Sequence, residues 1–255
     1  SEIEDLMGLE TNRFLTLNEI REKLIQEFEL PIDYISITTI HKALQFLKIT
    51  HKKVIPFHYN RNSARTKAER KLVARKLLYC IDNEYEVVYI DEVGFNRQMA
   101  PLYGYAPSGQ RCFVVSPAKS KNYSVVAAMT AEGYLGFQIF NGSVKSQDFA
   151  GFLSSLVSSL ALSNPNDKYV FLMDNAAIHR SKIFKEIVGN QVSILYNAPY
   201  SPMFNCIEEL FSKWKGMVRK AKPKDEGTLL KVIVETSKRI TLKDHIGYHK
   251  HALKR

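Results

Sequence analysis

The stretch that begins at Glu86 most constrains the fold, because strand-like runs start there. Three β-branched and aromatic runs follow in series, namely EVVYIDEVGF, SVVAAMT and YLGFQIF. Helical and strand patterns then alternate through the helix QDFAGFLSSLVSSL, the strand KYVFLMDN, the helix SKIFKEIVG, the strand QVSILYN and the helix NCIEELFSKWKGMVRKA, and TLLKVIVETSKRI adds a further helix. Strands in series followed by alternating strands and helices predict an α/β domain with a mixed central sheet.

The N-terminal part of the chain is typical of two short helices joined by a turn. Thr16 precedes Glu19 by three residues, which is a capping-box pattern, and Ser36 is placed to cap the second helix. Both helices carry an apolar stripe, and His41 and Lys42 lie off the stripe of the second. The arrangement resembles a helix-turn-helix, whose second helix enters the DNA major groove. A helical hairpin without a role in DNA binding is the alternative.

A strongly basic segment follows, between Lys52 and Lys76. In the whole chain Lys and Arg outnumber Asp and Glu by 36 to 26, which gives a formal net charge of +10. Such a charge suits a polyphosphate partner, although the charge alone leaves nucleic acid, an anionic membrane and simple solubility open. A basic helix that follows a DNA-reading unit is suited to contact successive phosphates. A solvated charged face is the alternative. The candidate DNA contacts in this segment are Arg61, Arg65, Lys67, Arg70 and Lys71.

These changes in sequence pattern divide the chain into three predicted parts. Residues 1–55 form a small all-α helix-turn-helix segment, residues 56–84 form a basic linker, and residues 85–255 form the α/β domain. With 255 residues, of which 45% are hydrophobic, the chain is long enough to bury a substantial core.

Patterns of membrane targeting are absent from the sequence. No apolar run approaches the roughly 18 residues of a membrane span, and the N-terminus has no basic-then-apolar signal pattern. We therefore expect an intracellular protein with no membrane partner, nuclear in a eukaryote and cytoplasmic or nucleoid-associated in a prokaryote. Cys80, Cys112 and Cys206 are far apart in the chain, so neither a disulfide framework nor a zinc site is predicted.

Acidic residues end two of the predicted apolar runs and flank a later helix. Asp91 follows VVYI and Asp174 follows VFLM, and the carboxyl ends of strands in α/β sheets face the ligand crevice. In the later helix Glu208 lies at the margin of the apolar stripe, whereas Glu209 points about 25° further toward solvent. We therefore expect Glu208 to join the two aspartates. Taken alone, Asp91 is typical of a strand end, Asp174 with Asn175 is typical of a turn or a helix cap, and Glu208 is compatible with a solvated helix surface.

A divalent metal is the natural partner of three such acids. Carboxylates held together in an apolar setting raise one another's pKa unless a cation neutralises them. Ligands that are all oxygen favour Mg²⁺, with Mn²⁺ as a substitute. Two such ions roughly 3.5–4 Å apart activate an attacking oxygen and stabilise a leaving oxygen in phosphodiester chemistry. The acids therefore predict two-metal chemistry on a nucleic acid, in agreement with the basic composition.

Three motifs carry the acids, in the order YIDEVGF, MDNAAIH and APYSPMFNCIEELFS. The second has the pattern D-N-x-x-x-H. Together they resemble the three catalytic motifs of mariner-superfamily (DDE/D) transposases and their bacterial insertion-sequence relatives. The resemblance covers most of residues 86–221. The helical N-terminal segment resembles the second of the two helix-turn-helix units that members of this family often carry.

The resemblance implies an RNase H-like fold in which Asp91, Asp174 and Glu208 are the catalytic metal ligands. It implies a transposase that cleaves transposon ends in double-stranded DNA and joins them to target DNA, usually at TA. It also implies a homodimer in the DNA complex, in which residues 96–121 reach across to the partner subunit. The residues that it implies to support the site or the DNA are Asn175, His179, Tyr200, Ser201 and Asn205.

Two other functions stay open on the residues alone. A transposon-derived DNA-binding protein without catalysis would keep the helical N-terminal segment and the basic segment, but the intact acids argue against it. An RNase H-like nuclease acting on RNA–DNA hybrids or branched DNA would keep the acids, but a helical segment followed by a basic segment is better suited to duplex DNA.

Overall fold

The chain divides into two compact units, residues 1–57 and residues 58–255. A computed structural model of the protein describes residues 15–52, 59–100, 105–113, 119–163, 166–176, 179 and 192–253. The helix expected in SKIFKEIVG, and the stretches of residues 96–121 that fall in the gaps, lie outside the described residues.

The first unit contains the two predicted helices, α1 (Leu17–Glu27) and α2 (Ile37–Phe46). The capping box is confirmed, because Thr16 Oγ1 accepts a hydrogen bond from the backbone N–H of Glu19 and the Glu19 carboxylate accepts one from the backbone N–H of Thr16. The Ser36 hydroxyl caps α2 by accepting a hydrogen bond from the backbone N–H of Thr39. The two helices pack through a small apolar core of Ile20, Leu24, Ile40 and Leu44.

A mixed five-stranded sheet forms the centre of the second unit. Its strands are β1 (Glu86–Phe95), β2 (Tyr123–Thr130), β3 (Gly133–Asn141), β4 (Tyr169–Met173) and β5 (Val192–Tyr196). They lie in the order β3-β2-β1-β4-β5. The first three strands pair antiparallel, whereas β1, β4 and β5 pair parallel. The predicted mixed sheet is confirmed.

Helices cover both faces of this sheet. They are α3 (Ala64–Asp82), α4 (Ser146–Ser163), α5 (Ile207–Ala221), α6 (Glu226–Ser237) and α7 (Leu242–Leu253). Residues of α4 pack on one face, and residues of α3, α5, α6 and α7 join the core on the other face. The sheet is therefore the middle layer of three, as expected for a sheet that must bury both faces.

Trp214 of α5 lies at the centre of the larger core, fully buried. Its ring meets the edges of Phe95 and Phe137, with ring centroids 5.2 Å apart in both pairs. The indole N–H donates to the carbonyl of Ile233 in α6 over 3.0 Å, so the polar atom of this large side chain is satisfied. Packing around Trp214 therefore fixes α5, and with it the start of α5, against the sheet.

The segment predicted to be a basic linker, residues 56–84, contributes α3 to the same compact unit as the sheet. Val73 and Leu77 are buried in the larger core, while the basic side chains face outward for the most part. Helix α3 is thus amphipathic, with an apolar side that packs on the domain.

Helix α7 was not predicted from the sequence. Its Asp244 forms an ion pair with Lys213 of α5 at 2.6 Å, and its His249 Nδ1 is hydrogen-bonded to the Tyr89 hydroxyl at 2.9 Å. These contacts hold α7 against α5 and β1. Among the described residues, no helix is long and apolar enough to cross a membrane.

Candidate active site

Asp91 lies inside β1 and not at its end. The parallel pairing with β4 stops at Tyr89, and β1 then continues to Phe95 with β2 as its ladder partner. The Asp91 side chain is partly buried, and its Oδ1 accepts a hydrogen bond from the backbone N–H of Glu92 over 2.8 Å. The acid therefore stands just beyond the parallel part of the sheet, where β4 no longer runs alongside β1.

Asp174 directly follows β4 and lies at the same edge of the sheet, with an exposed side chain. His179 Nδ1 lies 2.5 Å from Asp174 Oδ1 and 3.2 Å from the Asp174 carbonyl. The imidazole is buried and stacks on Phe149 of α4, with ring centroids 4.2 Å apart. Sequence reasoning missed Phe149, which carries no signal beyond an apolar position in a helix.

The contact between Asp174 and His179 favours the charged form of both side chains. The hydrogen bond from His179 lowers the pKa of Asp174. Burial works to lower the pKa of His179, but its hydrogen bonds with Asp174 and the negative charge of that residue outweigh burial, so the pKa is raised. His179 Nε2 is buried and has no hydrogen-bond partner among the described residues.

Glu208 lies in the first turn of α5, and its side chain is exposed. The expectation that Glu209 would point further toward solvent is wrong, because Glu209 is the less exposed of the two. The reason is α7, whose His251 Nδ1 contacts Glu209 Oε1 and covers that side of α5. Glu209 is therefore engaged with α7, and Glu208 is the open acid.

The other two predicted acids are close enough to Asp91 for their charges to shift its pKa. Burial raises the pKa of Asp91 to about 7, and the negative charges of Glu208 and Asp174 add to the increase. Among the described residues, however, no group of three or more His, Cys, Asp and Glu side chains is close enough to hold a metal ion. The structure thus brings the acids within electrostatic reach of one another without gathering them into a ligand cluster.

The donor set nevertheless fits a hard divalent cation. All three candidate ligands are carboxylates, which are the donors that Mg²⁺ prefers. A cation between them would remove the repulsion that raises the pKa of Asp91. The residues that the chain places at this edge of the sheet are therefore chemically suited to such an ion.

Asn205 connects the start of α5 to β1. Its side-chain Nδ2 donates to the carbonyl of Ile90 over 3.3 Å and lies 3.5 Å from Asp91 Oδ2. The Asn205 side chain is buried, and its Oδ1 has no hydrogen-bond partner among the described residues. Asn205 was predicted to support the site, and the structure places its amide beside the central acid.

Two other predicted supporting residues lie in the turn that precedes α5. Ser201 is buried, and the carbonyl of Ser201 accepts a hydrogen bond from Asn197 Nδ2 over 2.7 Å. Tyr200 is 43% exposed and has a left-handed backbone, with φ of 54°. Asn175, beside Asp174, is exposed.

The predicted DNA contacts differ in their surroundings. Arg65 forms an ion pair with Glu69 at 2.8 Å, whereas Arg70 is half-buried and donates hydrogen bonds into the protein, one of them to the carbonyl of Arg61. The exposed members of the set are His41 and Lys42 on α2 and Arg65, Lys67 and Lys71 on α3.

A model of the family described as DDE superfamily endonuclease matches residues 86–230. The chain belongs to this family. The matched span contains Asp91, Asp174 and Glu208, and the predicted kinship with DDE enzymes is confirmed. No relative among curated proteins matches the sequence.

Solved structures of Mos1 transposase have a similar fold. The Mos1 paired-end complex with left transposon end is 16% identical, with a TM-score of 0.78 over 100% of this chain and 75% of that chain. The Mos1 strand transfer complex is 15% identical, with a TM-score of 0.62 over 96% and 76%. The mariner Mos1 paired end complex with Mg is 16% identical, with a TM-score of 0.63 over 95% and 77%. This likeness confirms the predicted RNase H-like architecture.

Proposed function

We propose that this chain is a DNA transposase of the mariner type, which cleaves transposon ends and joins them to target DNA at TA. One observation carries the proposal. The negative charges of Asp174 and Glu208 raise the pKa of Asp91, and all three acids lie in the span that matches the DDE superfamily endonucleases. The likeness to a Mos1 strand transfer complex supports it at the level of the fold.

Asp91, Asp174 and Glu208 are the residues that would hold Mg²⁺, or Mn²⁺ in its place. Their all-carboxylate chemistry supports this choice, as does the similar fold of a Mos1 complex with Mg. When bound, a pair of such ions supplies an activated attacking oxygen and a stabilised leaving oxygen for phosphodiester cleavage and joining.

Side chains of the protein orient two of the acids. Asn205 brings an amide N–H to Asp91, and His179 donates to Asp174 while its ring is held against Phe149. Each of these supporting side chains keeps one buried polar atom without a partner among the described residues. Asn205 Oδ1 is free to accept from a water molecule, and His179 Nε2 in the protonated ring is free to donate to a water molecule or a substrate oxygen.

Double-stranded DNA is the proposed partner, as transposon terminal repeats and as target. Two copies of the chain would act on paired ends, with residues 96–121 reaching to the partner subunit. The protein would work in the nucleus of a eukaryote or the nucleoid of a prokaryote. The exposed basic residues on α2 and α3 would contact phosphates, which makes the affinity fall steeply with salt.

Cleavage of DNA by two matched variants tests the proposal. The substrate is duplex DNA that carries the repeats flanking the coding sequence in its genome. We expect nicking that requires Mg²⁺ or Mn²⁺ and that Glu208→Gln lowers by more than about 100-fold, the upper end of the loss seen for groups that only support a metal ligand. The neighbouring change Glu209→Gln is the control and keeps cleavage within a few-fold of the parent.

Both variants must bind DNA as the parent does, so that a loss of cleavage reports chemistry. If Glu208→Gln cuts as fast as the parent, the assignment of the acids is wrong. If the parent binds the repeats but never cuts, a DNA-binding protein without catalysis is the better description.

A further inference from the structure

The guanidinium of Arg70 donates its hydrogen bonds into the protein. Its Nε donates to Ser201 Oγ over 3.0 Å, and its Nη2 donates to the carbonyl of Arg61 over 2.8 Å. Arg70 is half-buried, whereas Lys67 and Lys71 on the same helix are exposed. Arg70 therefore differs from the basic residues around it, although the sequence gives all of them the same character.

Ser201 is the point at which Arg70 meets the turn before α5. The serine is 2% exposed, and its hydroxyl accepts from Arg70 and donates to the carbonyl of Pro199 over 3.0 Å. The carbonyl of Ser201 accepts from Asn197 Nδ2 over 2.7 Å. A buried serine held by three hydrogen bonds has one orientation, and it keeps the adjacent left-handed Tyr200 in place.

The same turn leads directly to the acids. After Ser201 the chain forms a short 3-10 turn, Pro202–Phe204, which the backbone N–H of Asn205 closes over 2.9 Å. The carbonyl of Asn205 then accepts from the backbone N–H of Glu208 over 3.2 Å, and its side chain lies beside Asp91. A shift of the turn would therefore move Asn205 and Glu208 together.

We propose that Arg70 is a positioning residue for the acidic site, which acts through Ser201 to hold the turn of residues 197–205. This inference rests on the proposed function of the acids. It removes Arg70 from the phosphate contacts expected of the basic segment and gives it a role within the catalytic domain.

Arginine suits this position because one planar guanidinium must donate in two directions, to Ser201 Oγ and to the carbonyl of Arg61. A guanidinium presents several N–H donors in a rigid fork, whereas a lysine ammonium is a compact point charge on a flexible stem. Lysine at position 70 keeps the charge but does not reach Ser201 and the Arg61 carbonyl together. A phosphate contact tolerates this replacement far better, because lysine binds phosphate well as a point charge.

The experiment compares Arg70→Lys, Arg70→Gln and Ser201→Ala with Lys71→Gln, which changes an exposed cation one position away. The first readout is hydrogen exchange in the DNA-free chain. We expect the first three variants to raise the exchange rate of residues 197–205 by roughly tenfold, with the strands unchanged, because local opening is controlled by local contacts. The effect of Arg70→Gln combined with Ser201→Ala is smaller than the sum of the two single effects, because both changes remove the hydrogen bond that the two residues share.

The second readout is cleavage under single-turnover conditions at saturating DNA. We expect Arg70→Lys and Arg70→Gln to lower the rate by roughly 10–100-fold and to raise the Mg²⁺ concentration for half-maximal rate, as removal of groups that orient metal ligands does. Their DNA affinity and its salt dependence stay those of the parent. Lys71→Gln weakens DNA binding and lowers the slope of the salt dependence by about one.

Two results would overturn the role of Arg70. One is an Arg70→Lys variant with the exchange and cleavage of the parent, and the other is an Arg70→Gln variant with the altered salt slope of Lys71→Gln. If the parent does not cleave, the proposed function fails separately. Exchange of the turn and the heat of Mg²⁺ binding then decide the question, and an unchanged turn in Arg70→Gln would refute the inference.

Discussion

Asp91 and Asp174 lie at the same edge of one sheet, yet their surroundings shift their pKa values in opposite directions. Asp91 is partly buried inside β1, and burial together with its acidic neighbours raises its pKa to about 7. Asp174 is exposed at the end of β4, and its hydrogen bond with His179 lowers its pKa. Two acids that are identical in chemistry therefore differ in whether they lose a proton readily, and the surroundings alone make the difference.

The largest expected effect of this contrast is on metal binding. Because the pKa of Asp91 is about 7, a cation that binds below that pH must displace a proton from it. We expect the affinity for Mn²⁺ to fall on the order of tenfold for each pH unit below 7 and to level off above it. Calorimetry in buffers of different ionisation enthalpy measures both the affinity and the released proton.

The control for this measurement is Asp91→Asn, in which the pH dependence disappears along with part of the affinity. An Mn²⁺ affinity that stays constant from pH 5.5 to pH 8 in the parent would show that Asp91 is not protonated in the metal-free protein.

The next effect is on the stability of the metal-free protein. Asp91 has a higher pKa in the folded state than the ordinary value near 4, so its charge costs stability fully above pH 7 and not at all below about pH 4. We expect Asp91→Asn to raise the free energy of unfolding by roughly 2–4 kcal/mol at pH 8 and by nothing at pH 4. Urea unfolding with EDTA present measures the difference.

A matched variant at the other acid sharpens the comparison. If Asp91→Asn and Asp174→Asn shift the free energy of unfolding in the same direction at pH 6, where the ion pair with His179 contributes, the opposite environments of the two acids are not what the structure indicates.

The smallest effect concerns Asp174→Asn, which removes the ion pair with His179. The lowered pKa of Asp174 makes its contribution available above about pH 4, and the raised pKa of His179 makes its contribution complete below about pH 6.5. We expect a destabilisation of less than about 1 kcal/mol, because the carboxylate is more than half exposed. The loss is greatest between pH 4 and pH 6.5 and shrinks as the pH rises through the pKa of His179.

Thermal unfolding of the parent and this variant across that range checks the prediction. A loss that is as large at pH 8 as at pH 5 would mean that His179 is already neutral at pH 5 in the folded protein.

Much of the second unit follows from local sequence patterns. Strands β1 to β5 and helices α4 to α6 have apolar residues at the spacing that each element requires, so they are visible without tertiary information. The three acids could also be predicted as candidate site residues, because they follow or flank those apolar runs. Helix α7 could not be predicted, since it buries little more than His245 and Ala252 and has no clear apolar stripe.

The contacts that orient the site could not be predicted from the sequence. The hydrogen bond between Arg70 and Ser201 joins residues 131 positions apart. The stacking of His179 on Phe149 joins one residue that follows β4 to another that precedes it. Neither residue type nor spacing predicts such pairs, because they depend on how whole elements pack. The exposure of Glu209 was misjudged for the same reason, as the covering helix was unknown.

The unequal length of two neighbouring strands leaves the main chain beside Asp91 unpaired on one side. β1 has ten residues and β4 has five, so the backbone around Asp91 has a sheet neighbour on one side only, and a side-chain amide, that of Asn205, approaches the Ile90 carbonyl. Approach to the main chain at this point is thus set by where the shorter strand stops. Extending β4 by two residues would continue the ladder past Asp91 and pair this side of β1 with main chain, even if every acid were left untouched.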